Sequence, residues 1–272
     1  MKAKYLLLLF CALLLCGCSE PMVSAPTESA TSATTEPTIA ESTAPQTTMP
    51  DLSISVPTGT HRCRFDDDTT GDYLEYYLFI PENAVQDMPL IVFLHGDGEV
   101  GNPDALEHYG PIIGAKEIYG ESFPFILLSP ATRQKSWTNG TIPDTLMNLI
   151  RYIIQECEID PGRVILTGHS RGAMGTWYLA SEYSEFFAAA VPVSCGTDMP
   201  LNFENLAQIP IFALTGNVGT YEINYKNAME YLVSQINNHG GHVEFRILNG
   251  LGHDATSEKA YNQELFEWIL EQ

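Results

Sequence analysis

Arg163-Val164-Ile165-Leu166-Thr167-Gly168-His169-Ser170-Arg171-Gly172-Ala173-Met174-Gly175-Thr176-Trp177-Tyr178-Leu179-Ala180 is the stretch that decides how this chain folds. It opens as an apolar run, turns through a pentad of the form G-x-S-x-G, and continues as a helix-compatible segment. In a strand, tight turn, helix setting this pentad reads as a nucleophile elbow, whereas alone it is a common chance match. The chemistry accounts for the shape. A serine hydroxyl is a weak nucleophile near neutral pH, so it must stand exposed at a sharp turn where a histidine can take its proton. Glycines on either side let neighbouring backbone pass close by.

Working outward, apolar runs at 73–80, 89–94, 123–128, 164–167, 188–193, 211–214 and 243–248 read as strands, the first stopped by Pro81 and the second by His95-Gly96. Helical signals alternate with them. Leu146, Leu149, Ile150, Ile153 and Ile154 recur at 3.6-residue spacing behind Pro143, a residue suited to a first helical turn. Met229, Leu232, Val233 and Ile236 do the same before Gly240-Gly241, and Tyr261, Leu265, Trp268 and Ile269 mark a last amphipathic helix. Near-continuous apolar strands separated by helices predict an α/β fold whose mostly parallel central sheet is covered on both faces. Residues 57–272 are the right size for one such domain, and they contain no internal repeat.

The order of these motifs resembles the α/β-hydrolase superfamily. It runs from Leu94-His95-Gly96-Asp97-Gly98-Glu99 through Phe125-Ile126-Leu127-Leu128-Ser129-Pro130 and the Ser170 elbow to Phe187-Ala188-Ala189-Ala190-Val191-Pro192 and Gly252-His253-Asp254. Within the superfamily the chain is similar to secreted esterases related to feruloyl and acetylxylan esterases and to polyhydroxyalkanoate depolymerases, a group often labelled predicted peptidases. The resemblance spans the domain from about Tyr73 onward.

It implies a serine hydrolase with Ser170 as nucleophile. His253, after the last strand in a glycine-rich turn and before the final helix, is the expected base, in the chain order serine, acid, histidine. His61 and His108 fall outside the loops at the sheet end, and His169 is expected to turn away from the base. The acid is less plainly marked. The family's usual aspartate position after the strand 211–214 holds Gly219, leaving Glu222 as the nearest carboxylate to orient the histidine, with Asp198 as the alternative. Asp254 is assigned to the turn. The oxyanion is expected to meet the backbone N–H of Arg171 and an N–H of the loop 95–98, with Asp97 favoured. The family often has a small residue where Asp97 stands and an arginine where Val100 stands, so an inward-pointing Asp97 carboxylate would discourage anionic acyl groups.

On the substrate side, Trp137, Tyr221 and His169 are the candidates, with Trp137 placed in a turn-rich surface segment and Trp177 assigned to the core. No metal or organic cofactor is expected, and no separate carbohydrate-binding module is visible.

The amino terminus predicts a location. Met1-Lys2-Ala3-Lys4 is basic, an apolar core follows, and Leu15-Cys16-Gly17-Cys18 closes it. Residues 1–17 resemble a bacterial lipoprotein signal peptide, which makes Cys18 the lipidated residue and the membrane a partner. The other reading is an uncleaved anchor, but the run is shorter than the roughly 20 apolar residues that span a bilayer. Residues 18–56, rich in Ser, Thr, Pro, Ala and Glu, read as a disordered tether, because such a composition cannot bury enough apolar surface to offset its ordering entropy.

The net charge of −21 becomes more negative still once Lys2 and Lys4 leave with the signal peptide. An acid-rich surface argues against nucleic acid and anionic lipid surfaces as partners. Cys63, Cys157 and Cys195 permit at most one internal disulfide and match no metal-site spacing. Together these readings predict an exported, lipid-anchored serine esterase working through an acyl-enzyme. A peptidase of the same fold and a surface binding protein that has lost catalysis are the competing readings.

Overall fold

The central strands are short runs of Val, Ile, Leu and Phe, apolar at successive positions because both faces of the sheet are covered. The computed structural model describes residues 55–272. The segment expected to be a signal peptide at 1–17, Cys18 and the expected tether up to residue 54 therefore lie outside the described residues. Strands β1 (Gly59–Asp67), β2 (Asp72–Ile80), β3 (Leu90–Leu94), β4 (Ile126–Ala131), β5 (Val164–His169), β6 (Ala189–Val193), β7 (Ile211–Gly216) and β8 (Val243–Leu248) form one sheet in the order β1-β2-β4-β3-β5-β6-β7-β8. From β4 across to β8 all neighbours are parallel, while β2 runs antiparallel to both β1 and β4.

Helices α1 (Pro111–Tyr119), α2 (Ile142–Glu156), α3 (Arg171–Glu182), α4 (Phe203–Leu206) and α5 (Thr220–Asn238) lie between strands, with a 3₁₀ turn at Pro103–His108, and α6 (His253–Ala260) and α7 (Gln263–Leu270) follow β8. The period-2 alternation of strand side chains sorts the core into layers. Leu90, Val92, Val164 and Leu166 pack with Leu146, Leu149 and Ile150 of α2. Ile91, Phe93 and Ile165 point the other way, onto Ile112 of α1 and Leu265, Phe266 and Ile269 of α7. Met229, Leu232 and Ile236 of α5 cover Ile211 and Ala213. Leu166 is fully buried, and truncating such a residue to Ala costs about 2–5 kcal/mol in lost transfer energy and residual cavity.

Four local departures from the sequence reading have physical causes. Strand β1 carries no apolar run, because as a sheet edge it packs Cys63 and Phe65 inward and leaves Arg62, Arg64 and Asp66 exposed. Strand β4 begins at Ile126 rather than Phe123 and continues through Ser129 and Pro130 to Ala131, although Phe123 and Phe125 are buried just before it. The last amphipathic helix, α7, holds Leu265, Trp268 and Ile269 but not Tyr261, which lies in the break after α6, and the Asn262 side chain accepts the Leu265 N–H to start α7. Val56, assigned to the tether, packs against the core.

Candidate active site

The glycines of the elbow answer to steric demands. A Cβ on Gly172 would lie 1.8 Å from the Leu94 carbonyl oxygen, and one on Gly168 would lie 2.5 Å from the Gly172 backbone, so β3, β5 and α3 meet without room for a methyl group. Ser170 between them has φ 57° and ψ −117°, outside the regions a serine ordinarily adopts. Its amide donates to the Val193 carbonyl at 2.9 Å, which ties the turn to β6.

Four strand ends bring the side chains together. Ser170 follows β5, Ser194 follows β6, Glu222 lies in the first turn of α5 after β7, and His253 opens α6 after β8. His253 Nε2 is 2.9 Å from Ser170 Oγ, and its Nδ1 is 2.9 Å from Glu222 Oε2. The other oxygen of Glu222 accepts from Ser194 Oγ at 2.6 Å, Gly216 N–H at 2.6 Å and Thr215 Oγ1 at 3.0 Å. Burial at 1% exposure would push this carboxyl up, but the hydrogen bonds from His253, Ser194, Gly216 and Thr215 outweigh it and hold the group below the usual glutamate range. Ser194 reaches it from a backbone with φ 56°, a second non-glycine residue in the left-handed region beside the site. Asp198 is exposed and makes no contact with His253.

The loop after β3 is pinned on several sides. His95 is fully buried, and its Nδ1 donates to the Gly96 carbonyl at 2.7 Å while Nε2 accepts the Thr132 N–H at 3.1 Å. Burial lowers this imidazole to about 4, so it stays neutral. The Asp97 carboxylate forms a paired hydrogen bond with the Arg171 guanidinium, Nη2 to Oδ2 at 2.7 Å and Nε to Oδ1. A Cβ on Gly96 would touch Ser170 Cβ at 3.4 Å, so the loop passes directly against Ser170. Arg171 is the first residue of α3, where a helix leaves its N–H groups without intrahelical acceptors. Two clefts meet here. One of about 370 Å³ is bounded by Glu99, Tyr109, Ile113, His253 and Glu258, and the other of about 360 Å³ by Arg171, Met174, Cys195, Asn224 and Tyr225; Ser170 and Asp97 belong to both walls.

Three expectations for the substrate side are corrected. Trp137 is not a surface residue: it is 2% exposed, its indole N–H donates to the His95 carbonyl at 3.0 Å, and a Cβ on Gly175 would meet it at 2.7 Å. It supports the loop after β3 from below. His169 does not turn away from His253. Its ring lies 4.5 Å from that of His253, Tyr109 donates to its Nδ1 at 2.5 Å, and burial together with the neighbouring His253 lowers it to about 3. Tyr221 is 75% exposed and borders neither cleft, but its ring stacks 6.5 Å from Tyr225, which does. Tyr225 also packs 5.1 Å from the His253 ring.

Sequence reasoning passed over Ser194, Thr215, Tyr109, Tyr225 and Glu99, and set aside His108, which lines the first cleft. The position of Ser194 immediately after an apolar strand was the available signal. Cys63, Cys157 and Cys195 are all free thiols, and burial pushes Cys195 up to about 12, so it is no nucleophile despite facing the second cleft.

A mostly parallel sheet with a serine elbow after its central strand and a histidine after its last one defines an α/β-hydrolase. The phospholipase/carboxylesterase family model matches residues 123–263, just over half of the chain. The chain belongs to that family. Feruloyl esterase B of Talaromyces stipitatus is 26% identical over 217 residues, which cover 72% of this chain and 56% of the relative. Acetylxylan esterase A of Emericella nidulans is 27% identical over 137 residues, covering 44% of this chain and 43% of the relative. The chain thus spans about half the length of the curated relatives it matches. Among solved structures, a thermostable esterase is 28% identical with a TM-score of 0.68, covering 78% of this chain and 63% of that one.

Proposed function

We propose that this chain is a serine esterase that cleaves carboxylic esters through an acyl-enzyme. The observation that carries the reading is the unbroken line of hydrogen bonds from Ser170 to His253 to Glu222, standing where two clefts meet. His253 takes the Ser170 proton as the oxygen attacks the ester carbonyl, and the charge formed on the carbonyl oxygen is met by the N–H groups of Asp97 and Arg171. The imidazolium, held by the ionised Glu222, passes its proton to the leaving alcohol. Water then enters, His253 takes a proton from it, and the acyl group leaves as the carboxylic acid while Ser170 recovers its proton.

On this reading the leaving alcohol lies in the first cleft, which His253 borders, and the acyl group in the second, which it does not border. The second cleft is roomier than an acetyl group requires, and Tyr225 supplies aromatic surface to its wall. The named relatives are a feruloyl and an acetylxylan esterase. We read the substrate accordingly as an acetyl or aromatic acyl ester, with polysaccharide as its alcohol part. Export and lipid attachment at Cys18, with residues 57–272 held out on the tether, complete the proposal.

A panel of acetyl, feruloyl and peptide substrates tests this reading. Ester turnover that is abolished in Ser170→Ala supports it; amide turnover alone would favour a peptidase, and no turnover of any of them a binding protein. For location, Cys18→Ala should remove metabolic palmitate label and membrane association, and unchanged association would favour an uncleaved anchor.

A further inference from the structure

We propose that the ion pair between Asp97 and Arg171 is a clamp on the oxyanion hole, which makes both side chains positioning residues. The proposal rests on the reading that the amides of these same two residues bind the oxyanion. Asp97 sits on the loop after β3 and Arg171 opens α3, 74 positions apart in the chain, yet two parallel N–H to O contacts join their side chains. Planar pairing of this kind fixes orientation as well as distance. The backbone groups that must converge on one atom are thus tied to each other one side chain away from the site of reaction.

The pair also settles an electrostatic conflict. A carboxylate on a residue that contributes to an oxyanion hole sits close to the negative charge formed in the transition state and opposes it. Asp97 borders both clefts beside Ser170, and among the described residues Arg171 is its ion-pair partner. With Arg171 in place the carboxylate is neutralised; without it, a bare anion faces the hole. The pair is partly exposed, at 44% for Asp97 and 35% for Arg171, so its value to overall stability is small. Its effect is on the reaction.

The two partners are therefore not equivalent on removal. Asp97→Asn loosens the clamp but leaves no opposing charge, and should lower kcat about ten-fold, less than the roughly 10²-fold or more that losing a whole oxyanion donor costs. Arg171→Gln loosens it and bares the carboxylate, and should lower kcat by about 10², the scale of a 1 Å misplacement in an active site. The double variant should recover to near the Asp97→Asn level, because groups that act as a unit do not combine independently.

The experiment measures kcat and KM for p-nitrophenyl acetate in the three variants, together with inhibition by a trifluoromethyl ketone that forms a tetrahedral adduct. The clamp predicts unchanged KM, inhibitor affinity falling in step with kcat, recovery in the double variant, and an Arg171→Gln defect that shrinks at 1 M salt, where the screening length is about 3 Å. Losses that multiply in the double variant, or a change confined to KM in the Arg171 variant, would overturn it. Melting temperature excludes a folding defect. Fluorophosphonate labelling of Ser170 in the parent protein keeps the two claims apart: its failure would sink the catalytic reading itself, whereas labelling with multiplicative losses would sink only the clamp.

Discussion

Glu222→Gln is the substitution on which the structure makes its sharpest demand. The side chain keeps its length, so its amide oxygen can still accept from Ser194, Thr215 and Gly216 at the positions now held by Oε1. That leaves the NH₂ facing His253 Nδ1, where the carboxylate now stands at 2.9 Å. An NH₂ donates, so Nδ1 must accept, and the imidazole proton moves to Nε2. There it points at Ser170 Oγ, and the base can no longer take the serine proton. The imidazolium also loses its counter-charge. An equivalent aspartate-to-asparagine change in a serine protease lowers kcat by about 10⁴, or roughly 5.5 kcal/mol at 1.36 kcal/mol per decade. Steady-state hydrolysis of p-nitrophenyl acetate, with circular dichroism as a check on folding, reads this directly. Asp198→Asn should stay within about two-fold of the parent, since that residue is exposed and does not touch the base. A folded Glu222→Gln enzyme that keeps a tenth or more of its activity, or a collapse in Asp198→Asn instead, would refute the assignment.

Gly172→Ala places a methyl group 1.8 Å from the Leu94 carbonyl oxygen; forced backbone shifts of this kind cost about 1–3 kcal/mol or more, so the melting temperature should fall by several degrees, while Gly98→Ala, with nothing within 4 Å, should leave it unchanged. The buried neutral histidines make stability pH-dependent. His95 is held near 4 and His169 near 3 in the folded protein, so between those values and the ordinary histidine pKa of about 6.5 the unfolded chain binds more protons. Their stabilising contribution is complete above about pH 6.5 and is lost progressively on acidification, on the order of 2 kcal/mol for each by pH 5; urea unfolding at pH 7 and pH 5 should show the loss, and His169→Phe should reduce it. The depressed carboxyl of Glu222 acts in the same direction, stabilising above its unfolded pKa and ceasing to do so as pH falls through its folded one.

Much of this architecture could be read before any coordinates. The elbow is legible because its two glycines are required by backbone contacts that no other residue permits. His253 is legible because the chain order of the fold leaves few places for the base. Glu222 was within reach only because its loop carries no nearer carboxylate. What remained hidden depends on contacts distant in sequence. Nothing in a turn-rich segment announces that Trp137 will lie under the loop after β3, because its partner His95 is 42 residues away. Strand β1 escaped because an edge strand with one covered face shows no apolar run. The approach of His169 to His253, and the union of Asp97 with Arg171, follow from how β3, β5 and β8 line up in the sheet, which local spacing does not encode.

The central claim is that Ser170 is the nucleophile. It is tested most directly by titrating the protein with a fluorophosphonate while following both residual esterase activity and, by peptide mass spectrometry, the site of the adduct. One adduct per chain is expected on the peptide containing Ser170, with activity falling in proportion to its formation, no labelling in Ser170→Ala and none at comparable rate in His253→Ala. Full activity with Ser170 modified, or inactivation tracking an adduct on another residue, would contradict it.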